Sequence, residues 1–337
     1  MAKRPTIADL ASASGVSVAT VDRVLNRRLP VREGTAFRVV QAAEQIGYHA
    51  TGLLKQRLTE TPQRSFGFLL QKRNDEFYKL LASELAAATK AARSIRGRAV
   101  IEFMDEIVPS LIAAKITEVG SRVDALAVVA VDHPLVNEAI ARLAKPVFTL
   151  LSDVTSPARA GYLSVDSRKA GRTAAWAISR LADAPGKIGI FLGSHRYLSQ
   201  ELSEISFRSY MREHAPEFHL LEPLINLDDQ RIAYEAGVDM IASNPDLAGI
   251  YVAGGGVEGV VRALVEEKAG SRLVTVCNEL MPVTRAALID GTIDMVLATP
   301  VAALAARTVQ VMARACSGES FDAVIQLGAE IYISENM

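Results

Sequence analysis

The feature that most constrains the fold is an alternation, from residue 65 onward, of short apolar runs with longer segments of helical periodicity. The apolar runs lie at 66–70, 99–104, 125–131, 146–151, 162–165, 187–193, 219–224, 249–254, 273–278, 295–300 and 323–327. Helical patterns over 77–95, 167–182 and 256–268 separate many of them. Nearly continuous apolar runs are typical of parallel strands that are covered on both faces. The pattern therefore predicts an α/β fold with parallel sheets flanked by helices.

The first fifty residues have a different pattern, which predicts three short helices. Thr6 is a good N-cap for the first helix, and Gly15 suits the left-handed turn residue that ends it. Ser17 begins a second helix over about 18–25, and apolar spacing predicts a third over about 35–46. Two short helices joined by a tight turn that contains glycine form a helix-turn-helix.

The charge of the chain is unevenly distributed. The net charge is −1, but residues 1–60 carry an excess of Lys and Arg and the remainder is acidic. A basic module on a mildly acidic body indicates that only the N-terminal module meets a polyanion. The alternative is a structural three-helix unit whose charges are simply solvated.

The second helix has the composition of a recognition helix, whose N-terminal residues face base edges in the major groove. Arg23 can pair bidentately with guanine, and Val18 and Ala19 can contact thymine methyl groups. Hydroxyl and amide side chains suit phosphates, while the Asp22 carboxylate either accepts from a cytosine amine or repels phosphate. The candidate DNA contacts in the three helices are Thr6, Ser17, Val18, Ala19, Thr20, Asp22, Arg23, Asn26, Thr35 and Tyr48.

The stretches "TIADLASASGVSVATVDRVLN" and "VREGTAFRVVQAAEQIGY" resemble the DNA-binding headpiece of the lactose-repressor (LacI-type) family almost end to end. The resemblance implies a hinge helix after Tyr48 that folds on the operator and pushes a leucine into the minor groove. Leu54 and Leu58 are both candidates, and Ala50-Thr51 replaces the usual Pro-Asn. The expected domains are a helix-turn-helix domain over 1–49, a hinge and linker over 50–64, and an effector-binding and dimerisation domain over 65–337.

The remainder of the chain resembles the effector domain of the same family, which is shared with periplasmic sugar-binding proteins. "GTIDMVLATP" and "TRAALIDG" are most similar to the ribose-binding branch. The resemblance implies two lobes, each a parallel sheet flanked by helices, with crossings near residues 160, 290 and 328. Lobe 1 would then comprise about 65–160 and 291–327, and lobe 2 about 161–290 and 328–337. A ligand is expected between them, at the carboxyl ends of the strands.

Polar and aromatic side chains that follow predicted strands are therefore candidates for effector contacts. Carboxylates and amides accept paired sugar hydroxyls, arginine donates to them, and an aromatic ring such as Phe77 covers a sugar face. The alternative for any one of them is a helix cap or a solvated loop. The candidates are Asn74, Asp75, Phe77, Asp132, His133, Asp153, Asp166, His195, Arg196, Glu204, Arg208, Asn278 and Glu279.

These features together favour a cytoplasmic, sequence-specific DNA-binding regulator. The expected role is a repressor of carbohydrate uptake or catabolism, acting as a homodimer on a pseudo-palindromic operator and controlled by a carbohydrate-like effector. A periplasmic-type sugar receptor is the alternative, but it needs a signal peptide and has no use for the N-terminal module. We expect no enzyme activity, cofactor, metal or membrane span, because the five histidines lack metal-ligand spacing and no GxSxG or CxxC motif occurs.

Overall fold

The computed structural model describes residues 5–26, 31, 33–52 and 61–337. The two leucines predicted to enter the minor groove, Leu54 and Leu58, lie outside these ranges. Across the described ranges, no helix is both long enough and apolar enough to span a bilayer.

The N-terminal module contains the three predicted helices, α1 (Ile7–Ser14), α2 (Val18–Asn26) and α3 (Glu33–Gln45). A capping box in which the Thr6 hydroxyl accepts from Asp9 N begins α1. Gly15, with φ 65°, ends α1 in the left-handed region. The apolar faces of the helices form one small core, whose buried members are Leu10, Ala11, Val21, Val39, Val40, Ala42, Ala43 and Tyr48. The predicted helix-turn-helix is confirmed.

Residues 61–165 form most of lobe 1. Its elements in chain order are β1 (Gln63–Gln71), α4 (Glu76–Ala91), β2 (Arg96–Met104), α5 (Pro109–Ser121), β3 (Ala125–Val128), α6 (Pro134–Arg142), β4 (Val147–Leu150) and β5 (Gly161–Val165). Residues after 166 build lobe 2 with α7 (Ser167–Leu181), β6 (Lys187–Leu192), α8 (Leu198–His214), β7 (His219–Leu220), β8 (Leu224–Ile225), α9 (Gln230–Ser243), β9 (Leu247–Val252), α10 (Val257–Glu266), β10 (Val274–Asn278), α11 (Pro282–Ile289) and β11 (Met295–Ala298).

The chain then returns to lobe 1 through α12 (Val301–Ser317) and β12 (Val324–Leu327), and it ends in lobe 2 with β13 (Glu330–Tyr332). The six-stranded sheet of lobe 1 has the order β12-β5-β4-β3-β1-β2. The seven-stranded sheet of lobe 2 has the order β13-β11-β10-β9-β6-β7, with β8 also paired to β6. The α/β fold of two lobes flanked by helices is confirmed.

Two of the crossings between the lobes differ from the prediction. β5 pairs with β4 in the lobe 1 sheet, with Gly161 opposite Phe148, so the first crossing follows Val165 rather than residue 160. β11 pairs with β10, with Met295 opposite Val276, so the second crossing follows Ala298 rather than residue 290. In both places the strand completes its sheet before the chain leaves the lobe, because a ladder satisfies its buried backbone groups.

Lobe 2 also departs from the predicted strand pattern. β13 runs antiparallel to β11, with Ile331 opposite Leu297, so this sheet is not purely parallel. The single strand predicted over 219–224 is divided into β7 and β8. Pro223 lies between them and has no N–H to donate to a ladder, which explains the division.

The core of lobe 2 brings α7 and α8 very close together. A Cβ at Gly171 would lie 2.1 Å from the carbonyl oxygen of Ser203, so glycine is required at this crossing. The Ser203 hydroxyl donates to the carbonyl oxygen of Ser167 at 3.0 Å. Beside this contact the rings of Phe207 and Tyr251 stack with centroids 5.2 Å apart. This packing fixes the start of α8 at the carboxyl edge of the lobe 2 sheet.

Candidate functional sites

Several of the predicted DNA contacts lie at the surface of α2 or directly before it. Ser17, Ala19, Arg23 and Asn26 are exposed, and the Val18 side chain is 51% exposed. An isopropyl group that is half in solvent gains from contact with an apolar partner such as a thymine methyl.

Polar side chains of α2 hold one another in place. The hydroxyls of Ser17 and Thr20 are 2.8 Å apart, and Asn26 Nδ2 donates to Asp22 Oδ1 at 2.6 Å. The second contact occupies one carboxylate oxygen of Asp22 and orients the amide of Asn26. The side chains of Asp22 and Asn26 are therefore held together by a hydrogen bond at the surface of α2.

Three other predicted DNA contacts are less exposed or have structural roles in the module. Thr6 caps α1, and Thr35 is half-buried at the start of α3. Tyr48 is only 6% exposed because its ring packs in the core of the module. Its side chain is therefore less accessible to DNA than the exposed side chains of α2. The Thr51 hydroxyl donates to the Tyr48 carbonyl oxygen at 2.5 Å, so the residue that replaces the usual Asn holds the chain just after the core.

A cavity of about 150 Å³ lies between the lobes, at the carboxyl ends of both sheets. Side chains that follow β1, β8, β9, β10 and β11 converge on it, as expected for open α/β sheets. Its polar and aromatic lining consists of Lys72, Asp75, Phe77, Tyr78, Ser152, Ser164, Ser167, Tyr197, Ser199, Gln200, Ser203, Asp228, Asn278, Glu279 and Thr299.

Four of the predicted effector contacts line this cavity. Asp75 caps α4, because its Oδ1 accepts from Phe77 N at 2.9 Å and from Tyr78 N at 3.3 Å. Phe77 is 9% exposed and offers an aromatic surface. On the lobe 2 side, Asn278 Nδ2 donates to the Ala253 carbonyl oxygen at 2.9 Å, and Glu279 follows directly.

Three predicted contacts cap helices or loops outside the cavity lining. Asp132 Oδ1 accepts from Thr155 N at 2.9 Å, and His133 Nδ1 accepts from the backbone N–H of Leu135 to begin α6. Asp166 accepts from Lys169 N at 3.1 Å and begins α7, although both of its neighbours line the cavity. The physical reason is shared: the unsatisfied N–H groups of a helix start bind the nearest acceptor.

The remaining predicted contacts also lie outside the lining. Asp153 Oδ2 accepts from Arg159 Nη2 at 2.7 Å, an ion pair within lobe 1. Glu204 pairs with Arg208 one turn later on α8, and Arg208 Nη2 also donates to the Leu221 carbonyl oxygen at 3.0 Å. Three further residues are exposed on loops: Asn74, His195 and Arg196.

Several residues that line the cavity are not predicted from the sequence. Lys72 and Asp228 follow strands that end one residue later than predicted, at Gln71 and Ile225. Both adopt left-handed backbone angles, with φ 41° and 52°, as does Glu279 with φ 68°. Such angles are uncommon outside glycine, and no residue pattern here signals them. A more accurate prediction of where the strands end would have identified Lys72 and Asp228 as candidates. It would not have predicted the directions of their side chains.

Two carboxyl groups of the cavity have pKa values that are raised above their ordinary values. Burial raises the pKa of Glu279 to about 7, even though Thr299 donates to both of its oxygens, from N at 2.9 Å and from Oγ1 at 2.6 Å. Burial also raises the pKa of Asp228, although the Lys72 ammonium and the N–H of Gly255 oppose the shift. The negative charge of Asp75 adds to the pKa increase at both groups. Perturbed carboxyl groups in a cleft are typical of functional sites.

Glu279 should make the stability of the body depend on pH. The folded state holds its proton up to about pH 7, whereas the unfolded chain loses it near the ordinary value of 4.5. The folded state therefore binds more protons between these values, and its stability falls as the pH rises through this window and then levels off. The total effect of this one group on the free energy of unfolding is roughly 3 kcal/mol, because a pKa difference of one between the folded and unfolded states corresponds to about 1.36 kcal/mol.

Denaturant unfolding of wild type and Glu279→Gln at pH 5 and pH 7.5 measures this effect. The variant should lose less stability than wild type over this interval, because Gln cannot ionise and still pairs with Thr299. Glu235→Gln, at an exposed position on α9, should follow wild type. Parallel pH curves for wild type and Glu279→Gln would show that Glu279 has an ordinary pKa.

Contacts across the cavity hold the lobes together in a closed arrangement. Tyr197, which precedes α8 in lobe 2, is 4% exposed and packs within an apolar cluster of lobe 1 residues that includes Leu69. Its hydroxyl donates to Gln71 Oε1 at 2.5 Å. Lys72 Nζ donates to the Asp228 carbonyl oxygen at 2.5 Å. Polar and apolar contacts from both lobes therefore meet at the cavity.

The chemistry of the lining suits binding more than catalysis. Within the described ranges, no cluster of three or more His, Cys, Asp and Glu side chains could hold a metal ion. The cavity instead combines hydroxyls, amides and carboxyls with the rings of Phe77, Tyr78 and Tyr197. This combination is typical of pockets that orient a polar ligand.

Solved structures of sugar-binding proteins share the fold of the body. An ABC transporter solute binding protein from Agrobacterium vitis bound with α-D-tagatopyranose has a TM-score of 0.75 and 19% identity, covering 81% of this chain and 96% of that one. A solute binding protein from Actinobacillus succinogenes 130z with bound D-allose has a TM-score of 0.74 and 13% identity, covering 81% and 98%. Identities this low show the fold alone. Among curated proteins, no significant sequence match is found.

Family models divide the chain as the structure does. Residues 66–320 match the model of the periplasmic binding protein domain, and residues 6–51 match that of the bacterial regulatory proteins of the lacI family. Neither model describes an enzyme. The two-lobed body thus belongs to the periplasmic binding protein domain family, and with its helix-turn-helix module the chain is a member of the LacI-type family of DNA-binding regulators.

Proposed function

We propose that the protein represses genes of carbohydrate uptake or catabolism, and that a monosaccharide-like effector in the cavity between the lobes controls its binding to DNA. The observation that carries the proposal is the presence in one chain of a helix-turn-helix with an exposed second helix, α2, and of a cavity between the lobes that polar residues line. Because it acts on DNA, its proposed place of action is the cytoplasm.

The size and lining of the cavity support a compact polar effector. Its volume of about 150 Å³ is well below the roughly 300–1,000 Å³ typical of pockets for drug-sized ligands. Carboxylate and amide oxygens accept hydroxyl hydrogens, and the Phe77 ring can cover a sugar face. Relatives of the same fold were solved with monosaccharides bound, which agrees with this size.

The contacts that cross the cavity support a mechanism for control. An effector that touches Asp75 of lobe 1 and Glu279 of lobe 2 at once binds the closed arrangement better than an open one, so it shifts the equilibrium toward closure. Closure changes the position of lobe 1 relative to lobe 2, and the N-terminal module is attached to lobe 1. Effector and operator then bias the same equilibrium from two sites, which is what allosteric coupling requires.

We further propose a homodimer on a pseudo-palindromic operator. One helix-turn-helix module contacts too few base pairs for useful specificity, and two-fold protein symmetry is mirrored by two half-sites. The surface around α4 is the proposed contact in lobe 1, where the Leu80 side chain is 46% exposed. Analytical ultracentrifugation at micromolar concentration tests the dimer.

Selection from a pool of random DNA by the full-length protein tests the function as a whole. We expect enrichment of a pseudo-palindromic sequence and, for that sequence, a change in Kd when one member of a monosaccharide panel is added. No enrichment would contradict a sequence-specific regulator. Enrichment without an effect of any monosaccharide would contradict sugar control and leave DNA recognition intact.

Arg23→Ala should weaken binding to the selected operator by about 1–3 kcal/mol, because a bidentate contact to guanine is lost. Binding to random DNA should be affected less, since it depends on phosphate charge alone. Fluorescence anisotropy on both DNAs measures the two losses. Arg231→Ala, on the exposed surface of α9, is the matched control and should leave both unchanged. Equal losses on both DNAs would reassign Arg23 to a phosphate.

A further inference from the structure

The ionisable side chains of the cavity are unbalanced in charge. Asp75 comes from lobe 1, and Asp228 and Glu279 come from lobe 2, so carboxyl groups face the cavity from both sides. Among the described lining residues, Lys72 is the only basic side chain, with no arginine and no histidine. A phosphate or carboxylate ligand would meet repulsion here without the guanidinium that usually binds such groups.

The single ammonium group is already engaged. Lys72 Nζ donates to the carbonyl oxygens of Asp228 and Leu227, at 2.5 and 3.4 Å, and so joins β1 of lobe 1 to the turn after β8 of lobe 2. Its charge lowers the pKa of Asp228, but burial outweighs it and the net shift is upward. The charge of Lys72 therefore does not fully compensate the burial of Asp228.

The carboxyl groups keep acceptor capacity for a ligand. Asp75 uses Oδ1 for both of its backbone N–H contacts, and among the described residues no donor contacts its Oδ2, which can therefore accept from a ligand. Asp228 Oδ1 accepts from Gly255 N at 2.7 Å, which leaves further lone pairs. The Tyr78 phenol lies among these groups, and burial and their negative charges raise its pKa well above the ordinary value. Tyr78 thus remains neutral and cannot offset them.

We infer that the effector carries a protonated amine: an amino-substituted monosaccharide, or an amino polyol of the same size, whose ammonium group lies between Asp75 of lobe 1 and the Asp228 and Glu279 carboxyls of lobe 2. This rests on the proposed function. An ammonium group donates three hydrogen bonds, and its positive charge offsets the repulsion of Asp75 with Asp228 and of Asp75 with Glu279. A hydroxyl in the same place donates one hydrogen bond and carries no charge. Because the carboxyls belong to both lobes, the cation also favours closure.

Isothermal titration calorimetry with matched sugars tests the inference. The probes are the amino, neutral and acid members of three series: glucosamine, glucose and glucuronate, and the corresponding galactose and mannose compounds, at pH 6.5. In at least one series the amino sugar should bind ten-fold or more tightly than the neutral sugar, and the acid should not bind. A neutral or acid member that binds as well as its amino partner would overturn the inference but leave the proposed sugar sensor intact.

Variants of the carboxyl residues test whether these groups recognise the positive charge of the effector. Asp75→Asn retains an N-cap for α4, and Glu279→Gln retains the contact with Thr299. The double variant should reduce the ratio of amino to neutral affinity by ten-fold or more, whereas a merely structural role would weaken both sugars equally. Glu235→Gln, which removes the same charge from the exposed face of α9, should leave the ratio unchanged. An unchanged ratio in the double variant would overturn the assignment, and a panel in which no sugar binds would contradict the sugar control on which the inference rests.

Discussion

Tyr197→Ala should weaken effector binding by about two orders of magnitude or more while both lobes remain folded. The aromatic ring belongs to lobe 2 but packs in an apolar cluster of lobe 1, so the truncation leaves a hole at the lobe contact rather than inside either sheet. Truncating a buried aromatic residue to Ala costs about 3–5 kcal/mol. Here that cost destabilises the closed arrangement relative to an open one. Because the effector binds the closed arrangement, its binding free energy is reduced by this amount.

Two measurements separate this effect from general damage. Calorimetric titration with the effector identified in the sugar panel gives the loss of affinity, and small-angle X-ray scattering gives the loss of the closed arrangement. The temperature of unfolding of the body should change little. Wild-type affinity together with a wild-type scattering curve would show that the Tyr197 contact does not support closure.

The hydroxyl of Tyr197 can be tested separately. Tyr197→Phe retains the ring but leaves the Oε1 atom of the buried Gln71 without its donor, which costs about 1–3 kcal/mol. Its effect on effector affinity should lie between wild type and Tyr197→Ala. Tyr210→Phe removes the same group from a half-buried ring on α8 and should behave as wild type.

Leu10→Ala should abolish operator binding altogether and leave effector binding unchanged. Leu10 is fully buried in the small core of the N-terminal module, and Leu→Ala at such a site costs about 2–5 kcal/mol. A single core of this size rarely supplies more than about 3–5 kcal/mol of stability, so the module should unfold. The body has its own cores and does not depend on this one.

Operator anisotropy and effector calorimetry on the same preparation measure the two halves independently. Phe37→Ala is the matched control, because it truncates a larger apolar side chain of the same module that is 56% exposed. The control should keep the module folded. Operator binding by Leu10→Ala within ten-fold of wild type would show that the core has more stability than its size suggests.

The sequence predicts the sheets well because their signal is apolar continuity, which burial on both faces requires. It predicts the cavity less well for a reason that Asp75 and Asp166 illustrate. Both are acids that follow a strand and cap the next helix, and no pattern distinguishes them. Only Asp75 also lines the cavity, because that depends on how each helix is rotated against its sheet. Side-chain direction is a property of the packed lobes and not of the local sequence.

The backbone at the cavity adds a second limit. Lys72, Asp228 and Glu279 reach the cavity from left-handed conformations that non-glycine residues seldom adopt. Tertiary contacts, such as Thr299 on Glu279, hold them there. These three ionisable side chains of the site therefore lie where local propensity is least informative.

The late return of the chain to lobe 1 has a consequence for synthesis on the ribosome. β12, the partner of β5, and α12, which packs on α4, are made only after the whole of the lobe 2 sheet except β13. A nascent chain therefore carries lobe 1 with an open sheet edge at β5 while residues 166–323 are translated, whereas the DNA-binding module is complete at the outset. Open edges invite pairing with other chains. We expect ribosome-bound chains halted before residue 324 to bind chaperones that capture exposed strands, and that capture to end once β12 emerges.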